Sequence, residues 1–186
     1  MLLNIPYHTL DVEKINLCPF YTDKYGKKIA RLTYKDDTVD LHDITILSPV
    51  IRVIDFNPDI SRLRLDISNC NLFQHKLNTL HEYIINAFYV HQQEFLNKTE
   101  LSYESIQRQF YYLLDGPVLS LYVYSTARIN LPNDTFSTVS ELKPGDSIRC
   151  SISLRGISHI VKNNTMYSKL RIHHCIPSIW IIPQIL

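Results

Sequence analysis

Apolar and polar residues alternate most cleanly in three stretches of this chain. Across Arg62–Ile67, Leu63, Leu65 and Ile67 take one side while Arg62, Arg64 and Asp66 take the other. From Val118 to Tyr124, Leu119, Leu121 and Val123 alternate with Ser120, Tyr122 and Tyr124. Between Pro144 and Arg155, Ile148, Cys150, Ile152 and Leu154 alternate with Arg149, Ser151, Ser153 and Arg155. Side chains on a strand point to opposite faces with period two, so each stretch predicts a strand with one apolar and one polar face. The pattern resumes at Lys169–His173, where Leu170 and Ile172 oppose Lys169, Arg171 and His173. Lys162-Asn163-Asn164 supplies turn residues in between, which predicts a hairpin over Pro144–His174.

Other segments read less sharply. Ile44–Phe56 is rich in β-branched residues and broken by Pro49, predicting an entry strand and then a main strand from Val50, closed by the turn Asn57-Pro58-Asp59. Ile29–Tyr34 reads as a short strand after a polar turn at Gly26, and residues 1–28 resist assignment. Ile176–Pro183 reads as a closing strand or an apolar tail.

The period changes once. From Lys76 to Leu96, residues Leu77, Leu80, Ile84, Phe88, Val90, His91 and Phe95 recur mostly at three- and four-residue steps without proline or glycine, predicting one amphipathic helix. Ser102 is placed to cap a second, shorter helix running to about Leu114, where Asp115-Gly116-Pro117 stops it. Strands, a helical insertion over 75–114 and further strands predict a mainly β, single domain over 1–186. The expected architecture is an OB-like barrel of five to six strands with helices between strands three and four.

Charge adds a constraint. The chain has 186 residues, 19 Lys+Arg and 18 Asp+Glu, for a formal charge of +1. A basic surface must therefore arise by segregating charge rather than by excess. Twelve tyrosines supply rings for strands or for base stacking. The four cysteines, Cys18, Cys70, Cys150 and Cys175, lack CxxC spacing and read as reduced thiols of an intracellular protein. No signal peptide or membrane span is visible. Three Asn-x-Thr sequons, at Asn97, Asn133 and Asn163, read as chance matches.

Single-stranded nucleic acid needs cations for phosphates and exposed rings for bases. The outward candidates are Arg52, Arg62 and Arg64, then Tyr122 and Tyr124, then Arg149, Arg155, Lys169, Arg171 and His173. Packing of the two tyrosines against the helical insertion is the competing reading, and Trp180 reads as core. His173-His174-Cys175 cannot converge on one metal if strand neighbours diverge. Asp36-Asp37 and Asp40–Asp43 read as a solvated loop rather than a magnesium site. No catalytic motif is present, so no enzyme activity and no cofactor are expected.

Some segments are also similar to a known family. They are Ser48-Pro49-Val50-Ile51-Arg52-Val53, the helix opening Leu80-His81-Glu82-Tyr83-Ile84-Ile85, Leu142–Arg149 with Leu154-Arg155-Gly156-Ile157, and Tyr167–Ile172 before Ile179-Trp180-Ile181. In this order, over about residues 44 to 182, the chain resembles the OB-fold single-stranded-DNA-binding proteins of large double-stranded-DNA viruses. The resemblance implies non-catalytic coating of single-stranded DNA in viral replication or recombination, in the host nucleus or a cytoplasmic viral factory, with replication proteins as partners. The chain departs from many such proteins by ending on apolar Ile181–Leu186 rather than an acidic tail. The alternative is a protein-interaction or assembly module with no nucleic-acid role; self-association into a homo-oligomer is compatible with either reading, and no membrane partner is expected.

Overall fold

The three alternating stretches become strands of one sheet. The computed structural model describes residues 4–24, 26–98, 100–132, 135–161 and 168–183. Among them, five strands come first: β1 (Ile5–Pro6), β2 (Ile15–Thr22), β3 (Lys28–Lys35), β4 (Asp40–Leu41) and β5 (Ile44–Leu47). Then come β6 (Ile51–Asn57), β7 (Arg62–Asp66) and the helices α1 (Asn71–Val90), α2 (Gln92–Leu96) and α3 (Tyr103–Gln107). Six strands follow: β8 (Phe110–Tyr111), β9 (Leu114–Asp115), β10 (Val118–Asn130), β11 (Phe136–Ser137), β12 (Ser147–Val161) and β13 (Ser168–Ile181).

Five of these strands form a ring. β6 pairs antiparallel with β7, β7 antiparallel with β10, and β10 parallel with β13. β13 then pairs antiparallel with β12, and β12 antiparallel with β6. The last contact is short, Ser147 opposite Arg52 and Ile148 opposite Ile51. Val53 N–H donates to Asp146 O at 2.8 Å and Gly145 N–H to Val53 O at 2.8 Å, which extends it through the turn.

The alternation sets what faces inward. Ile51, Val53, Leu63, Leu65, Leu119, Leu121, Val123, Ile148, Cys150, Ile152, Leu154, Leu170 and Ile172 are all buried. Each such aliphatic side chain contributes roughly 1.5–3 kcal/mol by leaving water. Helix α1 adds Phe73, Leu77, Leu80, Ile84, Ile85 and Phe88 to the same core. Its outer contacts reach the N-terminal segment: Tyr83 Oη donates to Ile15 O at 2.8 Å, and Phe88 meets Phe20 edge-on.

Several expectations are corrected. The helices follow β7, the seventh strand and only the second in the ring, because the N-terminal strands β1–β5 add to the sheet outside the ring. The long helix begins at Asn71 and breaks at His91, whose φ −109° and ψ 33° leave the helical range. Val90 is therefore exposed rather than core. Ser102 does cap α3, accepting from Ser105 N–H at 3.2 Å, but α3 ends at Gln107 and two short strands occupy the rest of the expected helix. The closing segment is the end of β13 rather than a separate strand, and Trp180 is only partly buried. The Lys162-Asn163-Asn164 turn, the Asn133 and Asn163 sequons and Gln184–Leu186 lie outside the described residues.

Residues 1–28, which resist assignment from sequence, contribute β2 and, with residues to Lys35, an antiparallel β2–β3 hairpin. The hairpin docks on β12 through Ile157 opposite Ala30 and Ser158 opposite Ile29. Gly156 makes this approach possible. It has φ +139°, and a Cβ placed there would lie 2.3 Å from Ala30 O.

Candidate nucleic-acid interface

Two clefts open side by side on the outer face. The larger, about 650 Å³, is lined by Tyr21, Lys27 and Arg31 of the hairpin and by Asp23, Asp43, Tyr124, Arg155 and His173, among others. The second, about 430 Å³, lies between Tyr122–Tyr124 of β10 and Arg171–His174 of β13. Lys27, Tyr124 and His173 line both, so the clefts are two lobes of one groove.

Rings and cations interleave along it. Arg31 lies 5.0 Å from the Tyr21 ring centroid, Arg155 5.4 Å from Tyr124 and Arg62 4.7 Å from Tyr122. Arg171 lies 4.9 Å from the Tyr111 ring and 6.0 Å from Tyr122, and Lys169 is 5.4 Å from Tyr111. These are cation–π distances, which hold each guanidinium near a ring without neutralising it. Arg171 also donates to Tyr122 Oη at 3.3 Å. Tyr111 and Tyr124 remain 44% and 46% exposed, enough to offer a face to a base.

Charge is segregated here. Among the described residues, Lys27, Arg31, Arg62, Arg155, Lys169 and Arg171 line or flank the groove, against Asp23 and Asp43. Four of these cations line the two lobes against two carboxylates, while Lys169 and Arg62 flank them, Arg62 also bordering a neighbouring cleft with Asp55 and Asp59, on a chain whose formal charge is only +1. Crowding shows in the titrating groups. Burial is the main reason the His173 pKa falls to about 4, followed by the charges of Lys27, Arg171 and Arg155. Burial also lowers Lys27, with Asp23 opposing the shift. Neutral His173 accepts from Lys27 Nζ through Nε2.

The sequence-derived residues divide into two sets. Arg62, Tyr122, Tyr124, Arg155, Lys169, Arg171 and His173 are brought together. Arg64 turns away to Asp55, at 2.8 Å. Arg52 sits opposite Asp66 and Ser147. Arg149 sits opposite Trp180, six residues before Arg155 on β12, which is about 20 Å of strand. Tyr21, Lys27, Arg31 and Tyr111 are the groove residues that sequence reasoning missed. Only the alternation Ala30, Arg31, Leu32 (buried, exposed, buried) could have marked Arg31 as outward.

His174 is buried and its Nδ1 lies 3.0 Å from Ile172 O, while His173 lines the groove. Among the described residues no three His, Cys, Asp or Glu side chains cluster as metal ligands. Asp36 accepts from Thr38 N–H and Val39 N–H, both at 2.8 Å, and Asp40 lies 3.5 Å from Lys35, so these acids shape a turn. All four cysteines are free, and burial pushes the Cys150 thiol up to about 12, where it is inert. No described helix is long and apolar enough to cross a membrane. No family model matches the chain, and no curated protein matches it.

Proposed function

We propose that this chain is a non-catalytic single-stranded-DNA-binding protein whose strand runs along the groove between β10, β13 and the β2–β3 hairpin. The observation that carries the reading is the interleaving of Tyr21, Tyr111, Tyr122 and Tyr124 with Arg31, Arg62, Arg155, Lys169 and Arg171. Cations attract the phosphate chain, and rings stack bases of any sequence because every base has a π-face. Duplex DNA offers its phosphates but not its base faces, so the tyrosines favour single strands.

An OB-like barrel is the fold we propose for the ring. Its members pair in the order first, second, third, fifth, fourth and back to first, with the parallel contact between third and fifth. OB folds bind oligonucleotides on the face of strands two and three and the adjoining loops, which here corresponds to β7 and β10 with Arg62 and Tyr122. The helices fall one connection earlier than in the expected arrangement. A role in viral DNA replication or recombination, with replication proteins as partners, rests on the resemblance in segment order. An assembly module is the weaker reading, since the three most exposed apolar residues, Ile60, Val90 and Phe136, lie in the β6–β7 turn, at the end of α1 and in β11.

The test is binding of a fluorescent single-stranded oligonucleotide by Tyr122→Ala/Tyr124→Ala. Loss of stacking at roughly 1–3 kcal/mol per base predicts at least a tenfold weaker complex for the double variant. Unchanged affinity would remove the tyrosines from the site.

A further inference from the structure

The lobe between β10 and β13 has a shape that general strand coating does not require. The two strands pair at Val123 opposite Ile176 and next at Arg128 opposite Ser178, so five residues on one strand match two on the other. Before Val123 the strands diverge. β10 there pairs with β7 and β9, while the start of β13 pairs with β8 and β12. The lobe occupies this split, at about 430 Å³ with Tyr122 and Tyr124 on one wall. That volume is at the lower end for ligand pockets and suits one nucleotide rather than a run of them. Ser61 borders it in the left-handed region, φ 50°, and its carbonyl accepts from Val123 N–H at 2.9 Å. A serine held there is a strained backbone, of the kind found at binding sites.

The charged groups around the lobe are donors, and the hydroxyls of Ser61, Tyr122 and Tyr124 serve either way. Buried His174, which donates through Nδ1 to Ile172 O, presents Nε2 as an acceptor suited to the ring N–H that thymine and guanine carry beside their carbonyl. Lys27 and Arg171 carry no acceptor atom. Because Lys27 donates to His173 Nε2, the remaining His173 proton sits on Nδ1, a third donor. Thymine and guanine present carbonyl acceptors, O4 and O6, where cytosine and adenine present amino donors. We propose that this split is a pocket for one nucleobase of the bound strand, selective for the keto bases thymine and guanine over the amino bases. The base enters between Tyr122 or Tyr124 and β13, and its carbonyl accepts from Lys27. The protein then coats single strands generally but anchors its register at keto bases. This inference rests on the single-stranded-DNA reading above.

The test compares dT12 with dC12, two weakly stacking pyrimidine strands of equal charge that differ at the O4/N4 edge. In anisotropy titrations at fixed salt, dT12 is expected to bind about tenfold tighter, one well-made base contact's worth of discrimination. Lys27→Met is expected to bring that ratio toward one, while Lys27→Arg, which keeps a cationic donor, preserves most of it. Equal binding of dT12 and dC12 by the parent protein overturns the pocket and leaves the groove standing. A ratio unmoved by Lys27→Met overturns the role given to Lys27. No binding of either strand overturns the nucleic-acid reading itself.

Discussion

Gly156→Ala tests how the N-terminal hairpin is held to the rest of the molecule. The added Cβ would lie 2.3 Å from Ala30 O, 3.0 Å from Ala30 C and 3.1 Å from Arg31 Cα. All three are backbone atoms, so no side chain can swing aside. To reach ordinary contact the β3 strand must retreat by about 1 Å, which breaks the Ile157–Ala30 and Ser158–Ile29 pairs. Alanine must also adopt φ +139°, a region that L residues rarely occupy. Overpacking costs about 1–3 kcal/mol and the strained backbone about as much again, giving an expected loss of roughly 2–6 kcal/mol. Urea unfolding measures it: the midpoint falls with the slope unchanged if the whole domain unfolds together. Because Tyr21, Lys27 and Arg31 ride on this hairpin, oligonucleotide affinity should fall as well. A variant within 0.5 kcal/mol of the parent by the same assay would refute the close docking of β3 on β12.

Other perturbations separate the groove from its surroundings. Arg31→Ala/Arg155→Ala should weaken oligonucleotide binding and make it less salt-dependent, whereas Arg64→Ala should change affinity little, since Arg64 faces Asp55. An Arg64 variant as impaired as the groove pair would move the binding face to β6 and β7. Stability should decline on the acid side. Burial depresses buried His81 and His174 to about 4, so between pH 6.5 and 4 the unfolded chain binds more protons than the folded one. Their contribution is full above pH 6.5 and is lost on acidification, by about 3 kcal/mol for each histidine once pH is below 4. His81→Phe keeps a ring against Tyr112 and removes two nitrogens that have no hydrogen-bond partner among the described residues. That variant should be about 1 kcal/mol more stable at pH 7 and should lose part of the acid-side decline, both read by urea unfolding at several pH values. An unchanged pH profile would contradict the assignment.

The ring strands were legible because burial imposes a two-residue period. Leu63 and Leu65, Leu119 and Leu121, and Ile148, Cys150, Ile152 and Leu154 keep it and are buried, although Ser151 and Ser153, expected on the open face of β12, are buried too where β5 pairs alongside. The hairpin β2–β3 was less legible. β2 carries Pro19 and buries only Ile15 fully, so its apolar residues follow no clean alternation. The break at His91 was hidden because Phe95 in α2 packs on Phe88 as if one helix continued.

Which arginines share a face was harder still. Alternation tells that a residue points outward, but partner strands decide what it meets. Arg52 and Arg64 met carboxylates on neighbouring strands, and Arg149 lay too far along β12. The register shift between Leu154 and Gly156 fixes where Arg155 sits relative to His173, and no single strand's sequence reports it.

Six cations and a row of tyrosines should act together as a single-strand site on a nearly neutral protein. Titrating a fluorescent single-stranded oligonucleotide at 50 to 200 mM salt measures it most directly. With two groove carboxylates offsetting two of the six cations, about four phosphates are neutralised, and the log–log slope should be near −3. Affinity should then fall roughly 50-fold across that range, and an equal length of duplex should bind more weakly throughout. A slope near zero, or duplex bound as tightly as single strand, would contradict the account.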